Sequence, residues 1–219
     1  MSKILAIYGS GGLGKEILEL AKEINLIKNQ WKEIIFINDF SQEKTLDINV
    51  FSFEQMIDLF DKNSLQVIVG VGNPFDRCAL WNKIKKHSLN STKLIHPDIT
   101  IPQSTTISEG VIICKGAFIS CEVFLEENVC IQMNSSIAHS SIIGKHSIVA
   151  PLSAISGNCK IGTQTFIGTC SAIKEKISIG CNTIVSMGSV VMQDVSDNVI
   201  VMGNPARQLL RNVDNKVFK

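Results

Sequence analysis

The sequence carries no excess of charge of either sign. Its 21 basic residues stand against 20 acidic ones, so it lacks the electrostatic footprint that nucleic acid or an anionic membrane requires. It also lacks any apolar run of membrane-spanning length. Met1-Ser2-Lys3 leads straight into an aliphatic stretch, without the apolar segment and small-residue cleavage site of a signal peptide, and the expectation is a cytoplasmic protein. C-x-x-C pairs are missing too: Cys78, Cys114, Cys121, Cys130, Cys159, Cys170 and Cys181 are scattered and odd in number, which indicates neither a zinc site nor a disulfide framework. His, Asp and Glu show no metal-ligand spacing, so no metal is expected.

What is present is a repeat. An aliphatic residue returns every sixth position from Ile101 through Ile107, Ile113, Ile119, Leu125 and Ile131 to Val191, without a slip of frame. Four residues after each comes a small or β-branched side chain, among them Ser135, Ser141, Ser147, Ser153, Cys159 and Thr165, with Ile177 the bulky exception. Six is a multiple of the strand period and fits no helix. Each hexad therefore reads as one short strand and a corner, with the aliphatic residue inward and the small residue at the turn. One hexad cannot bury its aliphatic side chain alone, so stacking must make the core. Three hexads per coil give a triangular prism of about five coils, roughly 25 Å tall at the usual strand spacing.

The N-terminal part reads differently. Lys3 to Tyr8 is a buried strand; Gly9-Ser10-Gly11-Gly12-Leu13-Gly14 forms G-x-G-x-x-G; a helix follows from about Lys15 to Asn25. Strand, glycine turn and helix in that order give the motif meaning, because helix-terminal N–H groups attract phosphate. A second strand, Glu33 to Ile37, ends in Asn38-Asp39, where an acid can accept hydrogen bonds from a ribose or base. A third, Leu65 to Val71, ends in Gly72-Asn73-Pro74, before a helix from about Asp76 to His87. This half-Rossmann unit is too small for a dinucleotide and suits one nucleotide. His96 bridges into the repeats and reads as a linker residue.

The hexapeptide pattern, with Gly144, Gly162, Gly168 and Gly180 directly after their aliphatic residues, resembles the left-handed parallel β-helix of the hexapeptide acyltransferases. That resemblance supplies the handedness and a homotrimer. With the preceding α/β unit and the closing Gly203-Asn204-Pro205-Ala206-Arg207, nearly the whole chain resembles the sugar acetyltransferases that include the sialic acid O-acetyltransferases and the bacillosamine-pathway N-acetyltransferase. The expected organisation is an acceptor-binding α/β domain over 1–94, a β-helix over 95–200 and a C-terminal cap over 201–219. The resemblance implies acetyl-CoA as donor, no metal, and active sites between subunits. It also implies a nucleotide-linked amino-deoxy sugar as acceptor, within surface glycan synthesis. O-acetylation of sialic acid or a related sugar hydroxyl, and a non-catalytic trimeric scaffold, are the alternatives.

Acetyl transfer needs a proton acceptor and donors for a developing oxyanion. The repeats offer only His139 and His146, and His139, two positions after the inward Ile137, points out of the prism. The resemblance aligns His139 with the family's general base and Gly157 with a backbone N–H facing the acetyl carbonyl. Ile148, Thr169 and Met187 fall at positions lining the coenzyme A groove. Gly11, Gly12, Leu13, Asn38, Asp39, Gly72 and Gln132 fall at acceptor positions. Ser140 stands where an Asp or Glu commonly follows the base, and orients an imidazole without stabilising imidazolium by charge. Ile148 and Leu13 replace frequent histidines, and Gln132 a frequent Asn. No cysteine is paired with a base, so a direct ternary-complex transfer is expected.

Overall fold

The computed structural model describes residues 3–217; Met1 and Ser2, on which the leader expectation rests, and Phe218 and Lys219 of the expected cap lie outside them. The N-terminal unit opens with β1 (Lys3–Tyr8), α1 (Gly12–Lys28) and β2 (Trp31–Ile37). It continues with β3 (Val50–Phe51), α2 (Phe53–Leu59), β4 (Leu65–Val69) and α3 (Pro74–Lys86). All sheet pairings are parallel in the order β3-β2-β1-β4. The chain therefore reverses direction across the sheet between β1 and β4, which opens a crevice at their carboxyl ends. β3 and α2 are additions to the three-strand expectation. A two-residue strand has no readable period, but α2 carried a signal in Ser52 and Gln55, which form a capping box.

Leu94–Ile95 (β5) pairs with Ile112–Ile113 and begins the β-helix. From there strands pair in parallel with partners 18 residues on, as in Cys130↔Ile148, Ser136↔Ala154 and Ile142↔Lys160. Three hexads thus make one coil. The strands form three faces: the first runs through 112–113, 130–131, 148–149, 166–167 and 184–185, the second through 118–119 to 190–191, and the third through 106–107 to 178–179. A hairpin of Val199–Gly203 and Ala206–Arg211 closes the top of the first face. The inward aliphatic residues, Ile113 to Val191, are buried in one continuous column. At about 1.5–3 kcal/mol per buried side chain, that column is the main stabilising term.

The turn itself falls one residue earlier than the repeat suggested. The residue three after each inward aliphatic takes φ between 50 and 63° at every sixth position from Glu122 to Asn182. Asn128, Asn134, Asn158 and Asn182 at this position were the legible signal, since asparagine tolerates the left-handed region. The next residue points inward, and this explains why it is so often a hydroxyl. Ser135, Ser141, Ser147, Ser153, Thr165 and Ser171 each donate to a carbonyl 15 residues on, at 2.7–3.0 Å. Cys159 occupies a rung of the same ladder through its Sγ and Lys174 O, 3.1 Å apart.

The α/β unit is seated on the first face. Ile17, Leu18 and Leu20 of α1 share a core with Leu94, Ile112, Cys130 and Ile148. On its other side α3 inserts Arg77, which has no exposed surface. Its guanidinium donates to the carbonyls of Val69 and Val71 and to both oxygens of Asn128, at 2.8–3.2 Å. His96 ties α1 to the base of the helix: Nδ1 accepts from the Asp98 N–H, so Nε2 donates to Glu23 at 2.7 Å. No helix among the described residues is long and apolar enough to cross a membrane.

Candidate active site

His139 stands on the corner between the second and third faces, exposed, and two residues beyond the Ser136–Ile137 strand. Gly157, one coil above, lies against its ring. A Cβ built on Gly157 would sit 2.6 Å from His139 Nε2 and 2.8 Å from Cε1. Only glycine leaves that side of the imidazole clear. The two are also joined through the backbone, since the Asn158 N–H donates to the His139 carbonyl at 2.9 Å. On the other side of the ring, Nδ1 lies 3.4 Å from Ser140 Oγ, and Ser140 Oγ donates to Glu122 Oε2 at 2.9 Å. Glu122 is a residue that sequence reasoning missed. The signal was there: Glu122 and Ser140 are 18 residues apart, one coil, and share the turn position.

The four glycines of the turn stand in unequal surroundings. Gly9, at φ 118°, and Gly14 are structural: a Cβ on Gly14 would lie 2.0 Å from the Gly9 carbonyl oxygen. Gly11 and Gly12 are exposed, and a Cβ on either would meet nothing within 4 Å. They open the N-terminus of α1, which carries neither a side-chain cap nor an acid in its first turn, toward the crevice between β1 and β4. Gly72 borders the same crevice beyond β4, ahead of the Asn73 cap of α3. This end of the sheet can take an anion on free N–H groups.

Two of the residues expected at the acceptor site are engaged internally. The Asp39 carboxylate accepts from the Phe53 N–H at 2.8 Å, from the Tyr8 hydroxyl at 2.5 Å and from Lys83 at 3.1 Å. Burial pushes its pKa up, but the Tyr8, Phe53 and Lys83 bonds outweigh burial and hold it below the usual range. Asn38 donates to Ser10 Oγ and accepts from the Phe40 and Ser41 N–H groups. Both residues shape the crevice wall through these bonds. Leu13 is half-buried against the cluster that contains Ile148.

Ile148 differs from the expectation of a groove residue. It is an outward position of the first face, but the α/β unit covers that face, and Ile148 has no exposed surface. Thr169 and Met187 do stand together, on successive coils of the corner between the first and second faces, with Met187 largely exposed. Gln132 lies lower on the same corner. A groove of about 350 Å³ between α1 and this corner is lined by Glu16, Glu19 and Glu23 against the single cation Lys115, an excess of negative charge that opposes phosphate; neither His139 nor the glycine turn borders it.

Residues 4–84 match the family described as the PglD N-terminal domain. The chain superimposes on the acetyltransferase domain of PglB from Neisseria gonorrhoeae FA1090, solved in complex with acetyl coenzyme A, with a TM-score of 0.89 and 26% identity, covering 95% of this chain and all of that one. The chain is an acetyltransferase of the hexapeptide-repeat fold. WeeI from Acinetobacter baumannii AYE is similar to this acetyltransferase at a TM-score of 0.87 and 27% identity, over 95% of this chain and all of that one. A mutant of perosamine N-acetyltransferase from Caulobacter crescentus, in complex with CoA and GDP-perosamine, shares the fold at a TM-score of 0.86 and 23% identity, over 94% and 96% of the two chains. No curated protein sequence matches the chain. The expected α/β unit followed by a left-handed β-helix is the fold of this acetyltransferase.

Within the acetyltransferase, His146 is held out of proton transfer. It is buried, and its Nδ1 faces the Asn128 amide nitrogen at 3.1 Å. That nitrogen also donates to the Arg77 carbonyl while Asn128 Oδ1 accepts from Arg77, so the amide orientation is fixed and His146 Nδ1 is an acceptor. Burial first, and the Arg77 charge second, lower its pKa to about 4. Among the described residues no group of three or more His, Cys, Asp or Glu side chains converges as a metal site, and all the cysteines are free.

Proposed function

We propose that this acetyltransferase moves the acetyl group of acetyl-CoA onto the amino group of a nucleotide-linked amino-deoxy sugar, with His139 as general base, in the synthesis of a surface glycan. The observation that carries the reading is the setting of His139. Its Nε2 lies against Gly157 while Nδ1 faces a hydroxyl backed by a carboxylate. The PglB domain's complex with acetyl coenzyme A supports the donor. The amine nitrogen bonds the thioester carbonyl carbon and passes its proton to Nε2. The C–S bond then breaks, and the departing thiolate recovers the proton. The Gly157 N–H has no acceptor among the described residues, which suits it to the oxyanion. The sugar nucleotide's phosphates suit the open turn at Gly11 and Gly12, and Thr169 and Met187 suit the coenzyme.

The same reading requires more than one subunit. The glycine turn belongs to the unit on the first face, whereas His139 occupies the opposite corner of the prism. A trimer with sites between neighbours brings one subunit's acceptor crevice to another's base. An amine, already nucleophilic when neutral, also suits a histidine whose carboxylate acts through Ser140 rather than directly.

The test is thiol release from acetyl-CoA against UDP- and dTDP-linked 3-amino and 4-amino deoxy sugars and free sialic acid. Release with one nucleotide-linked amino sugar, lost by about 10²–10⁴-fold in kcat in His139→Ala with acetyl-CoA affinity retained, supports the proposal. Release with sialic acid alone replaces it with O-acetylation. Full activity in His139→Ala removes His139 as the base.

A further inference from the structure

We propose that Glu122 is a positioning residue for this acetyltransferase, fixing the tautomer of His139 and supplying through Ser140 the negative charge that the sequence lacks beside its histidine. The inference rests on His139 being the base.

The Ser140 hydroxyl has one proton, and at 2.9 Å from Glu122 Oε2 that proton goes to the carboxylate. Its lone pairs are then all it can offer to His139, so the imidazole nitrogen facing it, 3.4 Å away, must carry hydrogen. Nδ1–H leaves Nε2 with its lone pair, on the side where Gly157 keeps the approach clear. A serine without the carboxylate has no such direction, because its hydroxyl can rotate and donate to Nδ1, giving the unproductive tautomer. When His139 takes a proton, the chain Nδ1–H to Oγ–H to carboxylate ends on a negative charge. Imidazolium is then stabilised through one intervening hydroxyl. Apo distances of this kind tighten in the reacting complex.

The arrangement is built by the coil. Glu122 and Ser140 both hold the left-handed turn conformation, at φ 56 and 58°, one above the other. The Ser140 N–H donates to the Cys121 carbonyl at 3.1 Å, and the Glu122 N–H to Ser104 Oγ at 3.2 Å. The backbone thus sets the height of both side chains, and neither residue contributes to the buried column.

The experiment compares Glu122→Ala, Ser140→Ala, their double variant and Ser140→Asp/Glu122→Ala, using kcat and KM and the His139 ring tautomer, read from its nitrogen shifts by NMR, in the full-length protein. In Glu122→Ala the share of the Nδ1–H tautomer of His139 should fall and kcat should drop by about three- to tenfold, with KM for both substrates nearly unchanged. The double variant should be no worse than Ser140→Ala, since the charge acts through the hydroxyl. Ser140→Asp, a residue the left-handed region tolerates, should restore the Nδ1–H tautomer without Glu122. An unchanged His139 tautomer in Glu122→Ala, or losses that multiply in the double variant, overturns the proposal. The NMR readout does not depend on turnover, so it separates this failure from failure of His139 as base, which His139→Ala reports.

Discussion

Gly157 lies so close to His139 that a methyl group in place of its hydrogen would sit 2.6 Å from Nε2. The imidazole is exposed and its side chain can rotate, so Gly157→Ala should turn the ring aside rather than unfold the coil. We expect kcat to fall by about 10²-fold for such a misplacement, with the thermal midpoint nearly unchanged. A variant with wild-type kcat would show that the ring's contact with Gly157 has no bearing on the reaction.

Acid should destabilise the protein through His146. Its folded-state pKa is about 4 against an ordinary value of 6.5. Above 6.5 the group is neutral folded and unfolded, and the full stability is present. As pH falls from 6.5 toward 4, only the unfolded chain takes up the proton, so stability drops by up to about 3 kcal/mol. His146→Asn, which suits the left-handed turn at φ 63°, should remove that part of the pH dependence and leave turnover intact. Urea midpoints at pH 7.5 and 5 measure it; parallel shifts in the two proteins would exclude His146 as the source.

Arg77 holds the α/β unit to the β-helix, and with no exposed surface its guanidinium has only protein partners. Arg77→Ala leaves a cavity and the carbonyls of Val69, Val71 and Asn128 without their donor. At about 1–3 kcal/mol per unsatisfied buried group, the loss should reach about 3–5 kcal/mol in urea unfolding. A loss below 1 kcal/mol would mean that water replaces the side chain at no cost.

The hydroxyl ladder can be tested at Ser147, which donates to the Gly162 carbonyl at 2.7 Å and accepts from the Thr165 N–H at 2.9 Å. Ser147→Ala strands both groups inside the prism, and a cost of about 1–3 kcal/mol in unfolding free energy is expected. A neutral substitution would indicate that the ladder fills space without contributing hydrogen-bond energy.

The hexad frame was readable because side-chain direction along a strand is a local property, set by a two-residue period. It fixed the three-face coil, the buried column and the outward direction of His139. Gly9-Ser10-Gly11-Gly12-Leu13-Gly14 was readable for the same reason, since a strand followed by a glycine turn and a helix is continuous in sequence. Glu122 was within reach, one coil from Ser140, but required following the 18-residue offset as well as the six-residue one.

The rest depended on what packs against each outward position, and no local rule contains that. Ile148 and His139 both point out of the prism. One is sealed under α1 and the other left open, because the α/β unit covers the first face alone. Asp39 ends its strand as a nucleotide-binding acid would, yet Tyr8 and Lys83 arrive from other elements to take its oxygens. Thus the sequence by itself determined the coil and the direction of each side chain. Tertiary structure decided which of those side chains meet solvent, which meet another element, and that His139 and the glycine turn of one chain lie on opposite sides of it.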